Sequence, residues 1–273
     1  MDLKSTSTLN NGVEMPWIGL GVFKVEEGRE VENSVRSALE IGYRHIDTAS
    51  FYENESGVGK AIAESEVDRE EIFLTTKVWN NQQGYKNTLE AFDESRRKLR
   101  SDIIDLYLIH WPVRGKFKDT WKALEKLYGD GKVRAVGVSN FLPHHLSDLI
   151  SDVDVMPAVN QVELHPFLRQ KDLHDYCLEN GIQLEAWSPL TRGRFLDHEV
   201  LREIADTHGK TPAQVLIRWD LQHEIVSIPK STHRQRIEEN SNVFDFELTD
   251  VEMQRVDELD SDSRIGPHPD MMT

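Results

Sequence analysis

Four residues of the sequence, Asp47, Tyr52, Lys77 and His110, supply the side-chain groups that carbonyl chemistry needs. Because a lysine ammonium beside a phenol favours the phenolate, we predict that Lys77 lowers the pKa of Tyr52 from its ordinary value of ~10. Tyr52 could then protonate a carbonyl oxygen as a general acid. A neutral His110 could donate a hydrogen bond to the same oxygen. These groups suit carbonyl reduction but carry no hydride, which must come from a cofactor.

Eight short β-type runs position these and other polar residues, and helical patterns separate the runs. Most runs are near-continuously apolar, as expected for parallel strands that are covered on both faces. The runs begin at Trp17, Tyr43, Ile72, Ile104, Val133, Ala158, Gln183 and Val226. Most successive starts lie 25 to 32 residues apart. This spacing predicts an α/β fold, a closed (β/α)8 TIM barrel, formed by one domain over residues 1–273.

Local signals support this architecture at the chain's turns and helix ends. Asn11-Gly12 lies between β-prone residues and predicts an N-terminal β-hairpin, which we expect to close the bottom of the barrel. Gly42 follows one amphipathic pattern as a stop signal. Thr211 with Gln214, and Thr249 with Glu252, are spaced as capping boxes at helix starts.

Polar residues stand where the predicted strands end, and a barrel of this type has its active site at those ends. They are Asp47, Lys77, His110, Ser139, Asn140, Gln161, Ser188, Lys230 and Ser231. Strand ends meet water in any barrel, so a single polar residue there indicates little. An aspartate, a lysine and a histidine from three adjacent strands, however, predict one polar mouth.

The segment IPKSTHRQRIEEN (228–240) predicts an anion site. Lys230 and Ser231 end a strand and Arg236 lies at the next helix, so positive charge and backbone N–H donors are concentrated there. Two other candidates are weaker. Gly19-Leu20-Gly21 lacks the third glycine of a dinucleotide-binding turn, and Gly209-Lys210-Thr211 lacks the upstream glycine of a P-loop.

Composition excludes several classes of partner. The chain has 32 basic and 48 acidic residues and a formal charge of −16, which disfavours nucleic acid and anionic membranes. Its single cysteine, Cys177, cannot form an intrachain disulfide and suits a cytoplasmic location. No apolar run has the length of a signal peptide or membrane span. No metal-binding motif is recognised, and His144-His145 fits a surface helix better than a metal site.

The sequence resembles the aldo-keto reductase family over nearly its whole length. The resemblance lies in GYRHIDTASFYENESGVGKAI (42–62), LTTKVW (74–79), DLYLIHWP (105–112), VGVSNF (136–141), NQVELHP (160–166), AWSPL (186–190) and the segment 228–240. It implies a (β/α)8 barrel that reduces carbonyl compounds with NADPH, with a catalytic tetrad at Asp47, Tyr52, Lys77 and His110. The sequence is most similar to bacterial reductases of glyoxal, methylglyoxal or 2,5-diketo-gluconate.

The resemblance also implies roles for further residues. Lys230, Ser231 and Arg236 would hold the adenosine 2′-phosphate, and Glu239 and Asn240 would contact adenine. Ser139, Asn140 and Gln161 would bind the nicotinamide carboxamide, and Trp187 would stack on its ring. The remaining expected cofactor contacts are Gly21, Val22, Phe23, Asp47, Ser188 and Leu190. Expected substrate contacts are Phe23, Tyr52, Trp79, His110 and Trp111. Lys24, Arg192 and Arg194 receive no role.

We therefore predict a monomeric, cytoplasmic enzyme that acts on small carbonyl compounds. Its short tail after Asp260 is expected to leave the barrel mouth open to many substrates. One alternative is a cofactor-binding sensor or regulatory barrel, which would need the 228–240 site but no turnover. A second alternative, a metal-dependent hydrolase or isomerase, is disfavoured by the missing ligand cluster.

Overall fold

The eight apolar runs form one parallel sheet in sequence order, in a computed structural model that describes residues 1–272. An antiparallel hairpin, β1 (Thr6–Thr8) and β2 (Glu14–Pro16), precedes the sheet. The sheet strands are β3 (Leu20–Gly21), β4 (His45–Asp47), β5 (Phe73–Val78), β6 (Ile104–Ile109), β7 (Val133–Ser139), β8 (Val159–Glu163), β9 (Gln183–Trp187) and β10 (Val226–Ser227).

Backbone contacts between the first and last strands close the sheet. Ile18 and Ser227 form a parallel bridge, and the Gly19 N–H donates to Ser227 O over 2.9 Å. Strands β5 and β6 are buried at every position, as their continuous apolar character predicted. The predicted (β/α)8 barrel is therefore confirmed, although several strands are shorter than their apolar runs.

The N-terminal hairpin covers the amino-terminal end of the barrel. Met15 is fully buried in a cluster with interior side chains that include Phe73 and Leu106. In the connecting loop, Asn10 Nδ2 and Asn11 Nδ2 each donate over 2.9 Å to backbone carbonyls at the starts of β8 and β7. The prediction that the hairpin closes the bottom is confirmed.

Helices surround the barrel and bury their apolar faces against it. They are α1 (Arg29–Ile41), α2 (Glu55–Ala63), α3 (Tyr85–Lys98), α4 (Phe117–Gly129), α5 (Pro143–Ile150), α6 (Lys171–Glu179), α7 (Glu199–His208), α8 (Pro212–Gln222), α9 (Arg234–Ser241) and α10 (Asp250–Asp257). Gly42 ends α1 with φ 118°, a conformation that suits glycine. The capping boxes of α8 and α10 form as predicted, and Cys177 is buried in α6. Within residues 1–272, no helix has the length and apolar character needed to cross a membrane.

Candidate active site

Asp47, Lys77 and Tyr52 meet at the carboxyl ends of β4 and β5. The Lys77 ammonium donates to both carboxylate oxygens of Asp47, over 2.7 and 2.9 Å, and to Thr48 O over 2.9 Å. Its distance to Tyr52 Oη is 3.4 Å. Asp47 and Lys77 are at most 1% exposed, so the ion pair lies in a low-dielectric interior. The phenol of Tyr52 is thus the outermost member of a buried chain of charged and polar groups.

The pKa of Tyr52 differs from the expectation drawn from the sequence. Burial, aided by the negative charge of Asp47, raises it to about 12 and outweighs the opposite effect of the Lys77 ammonium. The prediction of a lowered pKa is therefore wrong for the protein without ligands. Tyr52 is protonated at neutral pH, which is the form that a proton donor requires.

The ion pair beneath Tyr52 is stabilised by a hydrogen bond as well as by the attraction between its charges. Burial raises the pKa of Asp47, while Lys77 and a hydrogen bond from Gln161 act to lower it. Burial alone would lower the pKa of Lys77, but attraction to Asp47 and Tyr52 raises it overall. Lys77 therefore keeps its proton and remains a cation beside the phenol.

His110 lies beside Tyr52 with a neutral ring. Burial, followed by the Lys77 charge, places the pKa of His110 well below its ordinary value. Its Nδ1 atom is buried and has no hydrogen-bond partner in the part of the chain that the structure describes. Because a buried N–H without an acceptor is rare, we assign the proton to Nε2. The ring centroids of His110 and Tyr52 are 5.7 Å apart, so an Nε2–H donor and a phenol donor stand next to each other.

A cavity of about 890 Å³ opens above these groups and is walled by aromatic side chains. Phe23, Trp79 and Trp111 line it, as the sequence predicted for substrate contacts. Phe51 also lines the cavity and stacks on Trp79 with ring centroids 3.8 Å apart. The sequence analysis missed Phe51, although its position directly before Tyr52 was an available signal.

Ser139, Asn140 and Gln161 form a fixed amide network on the cavity wall. Asn140 Nδ2 donates to His110 O and to Ser139 Oγ, each over 3.0 Å. The Trp187 indole N–H donates to Asn140 Oδ1 over 2.8 Å. Asn140 and Ser188 adopt left-handed φ values of 65° and 56°, which are uncommon outside glycine and tend to occur at functional sites.

The other end of the cavity is lined by Lys230, Ser231, Arg236, Glu239 and Asn240. Lys230 and Arg236 are exposed, and over residues 1–272 neither forms an ion pair. Glu239 accepts a 2.7 Å hydrogen bond from Thr211 Oγ1, so part of its carboxylate is already occupied. Two uncompensated cations in a protein of charge −16 are consistent with the predicted anion site.

The structure separates the remaining candidates. Gly21, Lys24, Ser188, Leu190 and Arg192 line the cavity. Val22 is fully buried and does not line the cavity. Lys77 lies beneath the cavity, and Arg194 is exposed and does not line it.

The C-terminal segment 264–272 lies across the barrel mouth. Glu163 accepts hydrogen bonds from the backbone N–H groups of Ile265 and Gly266, the latter over 2.8 Å. Gly266 packs so closely on Trp187 that a Cβ atom there would lie 2.6 Å from the indole. Pro267 and Met272 line the cavity. The expectation that the tail leaves the barrel mouth open is therefore wrong. Hydrogen bonds from backbone N–H groups to the Glu163 carboxylate join the tail to the rim, and no sequence pattern indicates such bonds.

His144 and His145 lie in helix α5 and contact the same C-terminal segment. Their Nε2 atoms lie 2.9 and 3.3 Å from Asp270 Oδ1, a grouping whose residue types could ligate a metal. However, His145 Nδ1 accepts the Leu142 N–H, so the Nε2 atom of the neutral ring carries the proton. The cluster therefore fits contacts that hold Asp270, of which the one to His144 is a hydrogen bond, as expected for a helix surface.

Comparison with known proteins agrees with this geometry. Residues 18–261 match the Aldo/keto reductase family. Glyoxal reductase of Bacillus subtilis (strain 168) is 60% identical over 268 residues, covering 98% of this chain and 97% of that protein. The 9,11-endoperoxide prostaglandin H2 reductase of Trypanosoma cruzi (strain CL Brener) is 58% identical, covering 96% and 94%. A mutant of Gox0644, solved in complex with NADPH, superimposes with a TM-score of 0.94 at 44% identity and covers 98% of each chain. The protein belongs to the Aldo/keto reductase family.

Proposed function

We propose that the protein reduces small aldehydes and ketones of the glyoxal and methylglyoxal type to alcohols, with NADPH as hydride donor and Tyr52 as proton donor. The observation that carries this proposal is the position of the Lys77 ammonium. It lies 2.7 Å from Asp47 and 3.4 Å from a protonated Tyr52, beneath a cavity that is also lined by the cations Lys230 and Arg236. The similarity to glyoxal reductase supports the same chemistry.

The residues around the cavity fit the cofactor. Lys230, Ser231 and Arg236 would hold the 2′-phosphate, since an arginine can grip phosphate in a bidentate manner and a lysine adds a point charge. Both N–H groups of the Gln161 amide are used by carboxyl groups, so its Oε1 is left to accept from a carboxamide. Asn140 and Ser139 would complete that site, with Trp187 beside it. When bound, NADPH supplies the hydride.

The protein's own groups supply the proton. Tyr52 holds it at neutral pH, and His110 Nε2–H can hydrogen-bond the same carbonyl oxygen. Hydride addition turns that oxygen into an alkoxide, which is a stronger base than a phenolate and takes the proton from Tyr52. The Lys77 ammonium at 3.4 Å then stabilises the phenolate that remains. The raised pKa is thus compatible with proton donation.

The aromatic walls of the cavity favour small substrates that carry few polar groups. Phe23, Phe51, Trp79 and Trp111 line the same cavity as Tyr52 and His110, and Pro267 and Met272 of the C-terminal segment also line it. Relatives of similar identity carry names as different as glyoxal reductase and prostaglandin H2 reductase. We therefore propose a preference for small dicarbonyl compounds within a wider range of accepted aldehydes and ketones.

We further propose that the chain works as one domain, as a monomer, and in the cytoplasm. Its single cysteine is buried and unpaired, which suits a reducing compartment. The large apolar side chains that are exposed are few and spread from Met1 to Met271. Sedimentation analysis would test the monomer.

Turnover of NADPH with glyoxal, methylglyoxal and larger aldehydes tests the proposed function directly. We expect multiple turnovers with the small dicarbonyl compounds and no loss of activity after treatment with a chelator. Tight NADPH binding without turnover would instead favour the sensor or regulatory barrel. Activity that depends on added metal would favour the metal-dependent alternative.

Arg236 is expected to set the preference for NADPH over NADH. Hydrogen bonds between charged groups contribute ~1.5–3 kcal/mol, and ~1.4 kcal/mol is a tenfold change in affinity. Arg236→Ala should therefore weaken NADPH binding at least ~10-fold and flatten its salt dependence, while NADH binding changes little. Kd measurements for both cofactors test this.

A matched control is Arg234→Ala, which removes an exposed arginine two residues earlier in α9 that pairs with Glu40. It should leave the affinity for both cofactors near that of the wild type. Equal losses of NADPH and NADH affinity in Arg236→Ala would show that the arginine shapes the loop and does not read the phosphate.

A further inference from the structure

A second buried carboxyl group, Glu185, lies below the Asp47–Lys77 pair. It stands in β9, and its neighbour across the β8 ladder is Gln161. The Nε2 group of Gln161 donates to Asp47 Oδ2 and to Glu185 Oε2, over 2.8 Å in each case. Glu185 is fully buried. The Gln161 side-chain amide therefore joins the Asp47 carboxylate to the Glu185 carboxyl group. Neither the sequence analysis nor the proposed reaction gives Glu185 a role.

The barrel interior holds too little positive charge for two carboxylates. The titratable groups around Glu185 are His45, Asp47, Tyr52 and Lys77. Lys77 is the cation among them, and its ammonium group donates to Asp47 and Thr48. An ionised Glu185 would be a buried charge without a direct counter-ion, which is costly. When two carboxyl groups share one site, one of them keeps its proton.

The hydrogen bonds around Glu185 agree with a protonated acid. Oε2 accepts from Gln161, while Oε1 has no hydrogen-bond partner among residues 1–272 and lies 3.6 Å from His45 Nε2. His45 is not a counter-ion, because burial lowers its pKa to about 3 and the ring is neutral. Burial, with the Asp47 charge, raises the pKa of Glu185 to about 8. Since Oε2 accepts from Gln161, the proton of Glu185 is assigned to Oε1, which faces the neutral His45 ring.

We propose that Glu185 serves as a positioning residue in its neutral acid form, which orients the Gln161 amide on Asp47 and leaves Asp47 as the one carboxylate paired with Lys77. This inference rests on the proposed function, in which Lys77 stabilises the Tyr52 phenolate. Ionised Glu185 would add negative charge near Tyr52 and oppose phenolate formation. Reduction should therefore slow when Glu185 loses its proton.

Glu185→Gln tests this role because an amide keeps the hydrogen-bonding pattern of a protonated acid. Its carbonyl oxygen can accept from Gln161, and its NH₂ group replaces the acid O–H. We expect kcat within ~3-fold of the wild type at neutral pH. The wild-type kcat should fall as pH rises through about 8. The variant should lack that fall.

Asp220→Asn is the matched control for the activity profile. Asp220 is also a fully buried acid with a strongly raised pKa, but it accepts its hydrogen bond from Ser227 Oγ and not from the Gln161 amide. Its variant should keep the alkaline fall in kcat. An alkaline fall that persists unchanged in Glu185→Gln would overturn the proposal, as would loss of activity at neutral pH in a folded variant.

Stability gives a second readout that needs no turnover. With a raised pKa, Glu185 binds a proton in the folded state but not in the unfolded state, between its ordinary value and about 8. The wild type should therefore lose stability relative to Glu185→Gln as pH rises through this window. Denaturant midpoints measured from pH 5 to 8.5 would show a widening gap. Parallel midpoints would mean that Glu185 is ionised when folded and would refute the inference. If the protein had no reductase activity, this measurement would still decide the protonation state.

Discussion

Tyr52→Phe is expected to lower kcat for glyoxal reduction by ~10²–10⁴-fold, the usual contribution of general acid–base catalysis. The substitution removes the hydroxyl that lies 3.4 Å from the Lys77 ammonium and keeps the ring that packs beside Phe23 and His110. The proposed NADPH site at Lys230 and Arg236 is untouched. NADPH affinity should therefore stay close to that of the wild type, which steady-state kinetics and cofactor titration together would measure.

Tyr107→Phe is the control for this experiment. Tyr107 is a fully buried tyrosine in β6 that does not line the cavity, and its hydroxyl has no hydrogen-bond partner within the described residues 1–272. Its loss should leave kcat nearly unchanged. If Tyr52→Phe kept a third or more of the wild-type kcat, another group would have to supply the proton.

The Tyr52 pKa shows where reasoning from sequence stops. The sequence can place Lys77 near Tyr52, because Lys77 and Asp47 end adjacent strands and Tyr52 follows Asp47 closely. It cannot compare the effect of the Lys77 charge on the Tyr52 pKa with the effect of burial. Burial outweighs it here and raises the pKa to about 12. The sequence analysis missed Glu185 for the same reason, because its burial arises only when the barrel closes.

The fold was more predictable than the rim of the site. Apolar runs such as β5 and β6 are buried at every position, so the pattern of apolar residues along the sequence is enough to predict that these strands lie in the interior. The C-terminal segment has no comparable pattern. It is held by Glu163 and by a hydrogen bond between His144 and Asp270, contacts that join residues about 100 or more positions apart. Such pairings become visible only in three dimensions, and they decide which tail residues line the cavity.

Lys77→Met should reduce kcat by ~10²–10³-fold, since a unit charge ~4 Å from another contributes ~4 kcal/mol at an effective dielectric constant of ~20, before desolvation offsets part of it. The variant leaves the Tyr52 phenolate without its cation. It also leaves Asp47 buried and unpaired, and breaking one side of a buried ion pair commonly costs ~3–5 kcal/mol of stability. Kinetics and denaturant unfolding of the same preparation measure the two losses.

A double variant separates the electrostatic role of Lys77 from a structural one. Lys77→Met combined with Asp47→Asn removes the unpaired buried charge, and the new amide can still accept from Gln161. Stability should then recover substantially, while kcat stays low because no cation faces Tyr52. Lys60→Met, which breaks the half-exposed pair with Glu32, should change both quantities little. Recovery of kcat together with stability in the double variant would mean that Lys77 only supports the fold, and a folded Lys77→Met protein with normal activity would lead to the same conclusion.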